Sequence, residues 1–361
     1  MSAIRIVKDM DECAFLWKHN YLVESLFDLW MVRETFSQMY DREPCFIAHE
    51  KNGKVDGLLA LCKISETESS SGSGTSANSC GRFAFFPGEV WKSRTWMEQN
   101  KIVASDSDIM REMLCAVPGN ADIRYLCEKS LENIPPEFDL DNSVDKIIGN
   151  PTLKNTNRVI DNYINDTVGA TAECSGDFFV HCSYDETGYL FYPEYHGYSY
   201  EQYLGVFAGK SRKKILSEVR SIEKLGVSFR YNDMKDLDHM FSLNISNFGE
   251  DGYFHDSRFL NAFIQLACTL QKHDMLRIVT VMIGDEIAAV DMGGIWNNTC
   301  IMLAGGTNKN FPGIAKLINL HHMDWACSQK ISSLDFLCGD FSWKSRFHLS
   351  PRPLYQINIT R

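Results

Sequence analysis

The apolar positions of the chain change period along its length, and each change predicts an element. Ile4 to Val7 read as a strand, after which Phe15, Leu16, Leu22, Leu26, Trp30 and Phe36 recur at helical spacing. Cys45 to Ile64, CFIAHEKNGKVDGLLALCKI, is two apolar runs around Asn52-Gly53, a dipeptide suited to positive φ, and predicts a β-hairpin. Glu66 to Gly81 is Ser/Gly-rich, with too little apolar surface to offset the entropy of ordering, and predicts a flexible loop inside a domain. Strand pattern resumes at Arg82 to Phe86, followed by a helical stretch at Asp106 to Val117 and a short strand at Asp122 to Cys127.

Residues 134–176 are rich in Asn, Asp and Pro without firm periodicity, so the boundary between two halves, 1–165 and 166–361, is expected there. In the second half Ile215, Val219, Ile222 and Leu225 share a helical face, with Ser211 as the predicted cap and Gly226 as the stop. Val227 to Tyr231 reads as a strand, and Phe259, Phe263, Leu266 and Leu270 as the face of another helix. Leu276 to Ile295 is a second hairpin around Gly284-Asp285. With Gly53 set on Asp285, Ile47 falls on Val279, Val55 on Ile287 and Gly57 on Ala289; together with a helical segment upstream of each hairpin, this suggests an internal duplication. The order that follows is strand 300–304, loop GGTNKNFPG, helix 314–328, strand 334–337, loop CGDFSWKSRF and strand 355–359.

Composition sharpens this picture. The 361 residues are 44% hydrophobic and 23% charged, enough for a real core and too many for one average domain. A net charge of −11 works against a general polyanion binder. Twelve cysteines without a CxxC pair or zinc spacing suggest a reducing cytosol and no metal. Arg5, Lys8, Asp9, Asp11, Glu12 and Lys18 interrupt any signal-peptide core near the start, and no apolar run is long enough for a membrane span. The expectation is a cytoplasmic protein without a membrane partner.

The loop before Ile314 has two readings. Pro312 suits a first helical position and Gly313 lets backbone approach a ligand, so the helix start presents amides and partial positive charge to a phosphate. The other reading is an ordinary capped loop.

The order of elements resembles the GNAT acyltransferase superfamily. More specifically, FAGKSRKKILSEVRSIEKLGVSF, IGDEIAA, FPGIAKLI and LDFLCGDFSWKSRF resemble the CelD-like acetyltransferases, relatives of the FemABX aminoacyl transferases, which are built from two GNAT-like halves. Asp335, Phe336, Gly339 and Lys344 carry the most specific part of the likeness. Trp343 stands for the usual Tyr or Phe and Phe347 for the usual Trp, and the two closely spaced glycines of the GNAT signature are missing before Ile314. The resemblance implies an α/β fold with mixed sheets in two tandem GNAT-like halves, the active site in the second. It implies acyl transfer, acetyl preferred, from acyl-CoA to a primary amine of a small molecule or sugar. An aminoacyl-tRNA donor is the enzymatic alternative, disfavoured by the net charge, and a double-GNAT binding module without catalysis is the other.

For that chemistry Lys344 is the candidate to stabilise the oxyanion or a phosphate, against a surface lysine packed on aromatics. Asp335, Asp340 and His321 are candidate proton acceptors; His322 adjoins His321, and only one of the pair can face inward. Asn310, Phe311, Gly313, Ile314 and Ala315 are the candidate cradle for acyl-CoA. Glu250, Tyr253 and Asp291 are candidates for the amine acceptor, and Arg212 and Lys213, in the main basic cluster, for anionic substrate. Each has an ordinary structural alternative in a solvated turn, an exposed strand position or the polar face of a helix.

Overall fold

A computed structural model describes residues 2–64, 81–135, 138–140, 178–339 and 343–361. The predicted loop at 66–81 (all but Gly81), the proposed boundary at 165/166 and Asp340 lie outside these residues. The chain forms two compact units, 1–23 with 27–186 and 353–361, and 24–26 with 187–352.

The first unit runs β1 (Ser2–Val7), α1 (Met10–Asn20), α2 (Trp30–Tyr40), β2 (Pro44–Lys51), β3 (Lys54–Ile64), β4 (Arg82–Phe85), β5 (Val103–Ala104), α3 (Ser107–Cys115), β6 (Asn120–Leu126), β7 (Asp139–Leu140) and the start of β8 (Phe179–Phe191). The run of helical spacing from Phe15 to Phe36 is two helices, because Tyr21 turns to an extended backbone at the end of α1; Phe15 and Leu22 are left exposed. The Asn52-Gly53 hairpin forms as read, both residues at positive φ. Its strands are buried nearly throughout, since helices cover them: Trp17 of α1 and Met113 of α3 are fully enclosed with Phe46 and Leu58 to Leu61. Burying a side chain of that size contributes roughly 1.5–3 kcal/mol.

The second unit continues with α4 (Tyr200–Val206), α5 (Gly209–Glu223), β9 (Val227–Tyr231), α6 (Asp236–Phe248), α7 (Ser257–Lys272), β10 (Leu276–Ile283), β11 (Glu286–Trp296), β12 (Thr299–Thr307), α8 (Ile314–Ser328), β13 (Ser333–Asp335) and α9 (Trp343–Arg346), with the start of β14 (Ser350–Thr360). Ser211 is not the cap of α5: the helix begins two residues earlier, behind Ala208, and has no side-chain cap. Gly226 at φ +81° ends the following turn as predicted. Ile222, Val279, Val281, Ala289, Ile314 and Ile318 pack α5 and α8 onto β10 and β11.

The duplication is visible in the hydrogen-bond register. In the first hairpin His49 pairs with Gly57 and Glu50 with Val55, leaving Asp56 as a bulge. In the second, Val281 pairs with Ala289 and Met282 with Ile287, leaving Ala288 at the corresponding place. Each hairpin is flanked by antiparallel strands, β1 and β4 in one unit, β9 and β12 in the other. A parallel strand follows a helix in both: Arg82–Ala84 pair with Asn120–Asp122, and Thr299–Ile301 with Ser333–Asp335.

Candidate functional site

The equivalent strands diverge after those parallel pairs, and here the units differ. In the second, β12 runs on to Thr307 while β13 stops at Asp335, so past Ile301 this edge of β12 has no strand partner among the described residues. Leu303 is a bulge, because Met292 pairs with Ala304 and Gly293 with Met302. The Asn308 amide donates to Ala288 O, and antiparallel partners alternate, so the amides and carbonyls of Gly305 and Thr307 point to the open edge. Asn244 and Asn247 of α6 donate to those two carbonyls at 2.9 and 2.8 Å. The amides stay available for a ligand with carbonyl groups.

The open edge leads into the loop before α8. Asn308 Oδ1 accepts from the Asn310 amide at 3.0 Å, and Asn308 O accepts from Phe311. Gly313, not Pro312, borders the helix: it caps α8 at φ +90°, where a side chain would be strained. A Cβ there would also meet Ile222 Cδ1 at 3.0 Å. Ile314 is buried in the core and so anchors the turn, whereas Gly313 and Ala315 are exposed. Of the four amides at the start of α8, Ile314 donates to Phe311 O and Lys316 to Gly313 O, so those of Gly313 and Ala315 carry the partial positive charge of this end toward solvent. Of the five residues expected here, Gly313 and Ala315 offer backbone, Asn310 is an exposed loop residue, and Phe311 and Ile314 pack inward.

Two helical turns along α8, about 12 Å, His322 is fully buried and its Nε2 lies 3.1 Å from Asp291 Oδ2 of β11. Asp291 also lies against Gly305, where a Cβ would come to 2.1 Å from Oδ1; only glycine permits this approach. A carboxylate thus sits beside the open edge with a histidine behind it. His321, the one selected as a base, faces the other way. It stacks on Phe229 at 3.9 Å and its Nε2 lies 3.1 Å from the Tyr231 hydroxyl. Burial, with His322 and Arg277 nearby, holds its pKa down at about 4.

Lys344 is not a free cation. It is 3% exposed, and its ammonium donates to the carbonyls of Phe336, Leu337 and Cys338 at 2.9, 2.8 and 2.6 Å. An ammonium has three N–H bonds, so Lys344 fastens the loop after β13 instead of meeting an oxyanion. Asp335, 1% exposed, accepts from Arg352 at 2.6 Å and from the Leu337 amide at 2.8 Å. Its equivalent in the first unit, Asp122, is likewise paired to an arginine, Arg82. Asp335 is thus held in a buried ion pair. Asp340 lies outside the described residues.

Arg212 and Lys213 are exposed on α5, ten residues or about 15 Å from Ile222, which touches the α8 start. Arg212 and Lys213 are therefore away from that anion-attracting end. Glu250 is exposed and Tyr253 packs its ring on Phe259 at 5.2 Å, in the turns after α6. Sequence reasoning missed Asn244 and Asn247, whose i, i+3 spacing puts both on one helix face, and the open edge they cap.

In the first unit the corresponding place is filled. β3 pairs with β4 and then, at Gly57 and Leu58, with Ala104 and Val103 of β5. Residues 86–102 thus interrupt what is one strand, β12, in the second unit. Asn100 returns between them, its amide donating to Tyr125 O and its carbonyl accepting from Cys127. A cavity of about 40 Å³, lined by Ala84, Phe85, Asn100, Asp122 and Arg124 among others, is what remains. It is far smaller than the roughly 300–1,000 Å³ of a ligand pocket and does not take an acyl carrier.

Residues 209–345 match the family described as the acetyltransferase (GNAT) domain. No curated protein matches the chain. Among solved structures, a conserved protein of unknown function from Bacteroides thetaiotaomicron aligns with 99% of this chain and 100% of its own at 10% identity, TM-score 0.53. FemX aligns over 99% and 96% at 11% identity, TM-score 0.51. These likenesses show the fold, mixed α/β, and the GNAT domain match lies in the second half of it. The acyltransferase superfamily resemblance is borne out over the second half. No helix among the described residues is long and apolar enough to cross a membrane.

Proposed function

From a GNAT domain at 209–345, we propose that the second half transfers an acyl group, acetyl foremost, from acyl-CoA to a primary amine of a small molecule or sugar. The observation that carries the reading is the open, bulged edge of β12 running into the uncapped start of α8. Acyl-CoA supplies an activated carbonyl and a carrier with phosphates and amide groups. The exposed backbone at Gly313 and Ala315 suits the phosphates, and the amides of Gly305 and Thr307 suit carbonyls of the carrier arm.

The amine must lose a proton to attack. Asp291 takes it on Oδ1, the oxygen against Gly305, while His322 holds Oδ2 and fixes the carboxylate's orientation. Collapse of the tetrahedral intermediate breaks the C–S bond and releases the carrier as a thiolate, which takes the proton from Asp291 to become the free thiol and restores the carboxylate. Lys344 and Asp335 serve by shaping the loop that flanks β13.

Thermal shift and mass spectrometry of co-purifying ligand test this. Acetyl-CoA at about 100 times its Kd should add about 2.7 kcal/mol of stability. Asp291→Asn should lower kcat by about 10²-fold or more while changing the acetyl-CoA Kd little. No shift with any acyl-CoA would return the chain to a binding module, and aminoacyl-tRNA-dependent turnover in its place would favour the alternative donor.

A further inference from the structure

On the flank of α8 beside β9 lies a cation that the acyl-transfer reading does not use. Arg277, on β10, is 9% exposed, and its Nε and Nη2 are enclosed without a hydrogen-bond partner. No carboxylate among the described residues pairs with it. Its guanidinium lies 3.7 Å from the ring centroid of Trp325 and 5.8 Å from that of Tyr231. Gly293 is its cross-strand partner, so no side chain stands opposite it on the neighbouring strand. Tyr231 is 49% exposed and continues the aromatic surface through His321 to Phe229.

A buried guanidinium is normally paired, because desolvating it without a counter-charge is costly. Stacking on one indole does not supply hydrogen-bond acceptors for the planar edge. The other buried arginine among the described residues shows the contrast. Arg33 donates to Phe27 O, Phe86 O and Asn100 Oδ1 at 2.7 to 2.8 Å. In Arg277, by contrast, Nε and Nη2 are enclosed and unpaired while Nη1 reaches solvent. We propose that Arg277, with Trp325 and Tyr231 as walls, is a binding site for a carboxylate carried on a flat organic body. The carboxylate accepts from Nη1, the guanidinium nitrogen that reaches the surface, and the body lies on the exposed Tyr231 ring. The guanidinium fork, stacked on Trp325, holds Nη1 in one direction, and the aromatic rim favours an organic anion over a hydrated inorganic one.

Calorimetric titration and thermal shift with benzoate test the site, with benzamide and inorganic phosphate at matched ionic strength as comparisons. Benzoate is expected to bind one per chain and raise Tm, benzamide to do neither, and phosphate to be at least tenfold weaker. Arg277→Met is expected to abolish the benzoate shift and leave the ligand-free Tm unchanged or higher, since it removes an unpaired buried charge. Arg277→Lys, retaining charge without the fork, should weaken benzoate at least tenfold. Equal effects of benzoate and benzamide, a preference for phosphate, or no benzoate binding to the unaltered protein would overturn the proposal, whether or not the variants fold. None of these readings depends on acyl-CoA, so the site stands or falls apart from the transferase reading.

Discussion

At the scale of single residues, burial decides which charged groups are free to do chemistry. Lys344 shows this most plainly, since its ammonium is committed to three carbonyls of one loop. Lys344→Met should leave those carbonyls without a donor and lower unfolding stability by about 3 kcal/mol. A urea midpoint measured at unchanged slope checks it, and activity at permissive temperature should fall only as far as the folded fraction does. The sequence could place Lys344 near the second parallel strand but could not say which way its carbonyls turn. The His321–His322 pair has the same lesson: helical geometry allows one inward ring, and only the packing against Asp291 identifies it as His322. His321 makes a separate prediction about pH. Its folded pKa of about 4 lies below the ordinary value near 6.5, so between those values the unfolded chain binds more protons and stability falls as pH falls. Above pH about 6.5 this contribution is flat. Comparing His321→Phe with the unaltered protein across pH 4 to 7 should show a shallower loss for the variant.

At the scale of elements, both hairpins and the helix 314–328 were legible because turn chemistry and periodicity are local properties. Asn52-Gly53 and Gly284 adopt the positive φ their sequence suits. The start of α5 was misread because Ser211 is a good cap by type, yet the chain already coils at Gly209 behind Ala208. The shared bulges at Asp56 and Ala288 make the duplication a matter of register and not of alternation alone. The start of α8 offers the clearest test of an element's electrostatics. Gly313→Asp places a carboxylate at a positive-φ position that Asp tolerates better than most side chains. Its charge opposes any phosphate at the helix end, so the acetyl-CoA Kd measured by calorimetry should rise at least tenfold, with a lower Tm from the strain at φ +90° and the contact with Ile222.

At the scale of the whole molecule, two units of one topology have parted in what they leave accessible. Residues 86–102 and their return at Asn100 occupy in the first unit the place that is open beside β12 in the second. A stoichiometry of one acyl-CoA per chain, not two, is therefore expected in calorimetric titration. This asymmetry was hidden in the sequence because 86–102 has neither alternation nor helical period, and its meaning depends on pairings distant along the chain. The inserted segment is also tied in from behind: Arg33 takes acceptors from Phe86 and Asn100, at its two ends. Excising the insert to recover a second receptor would strand that guanidinium in the interior, so the closure works as a ratchet. The first copy is thereby hard to reopen, which makes the second copy the tractable place to engineer binding.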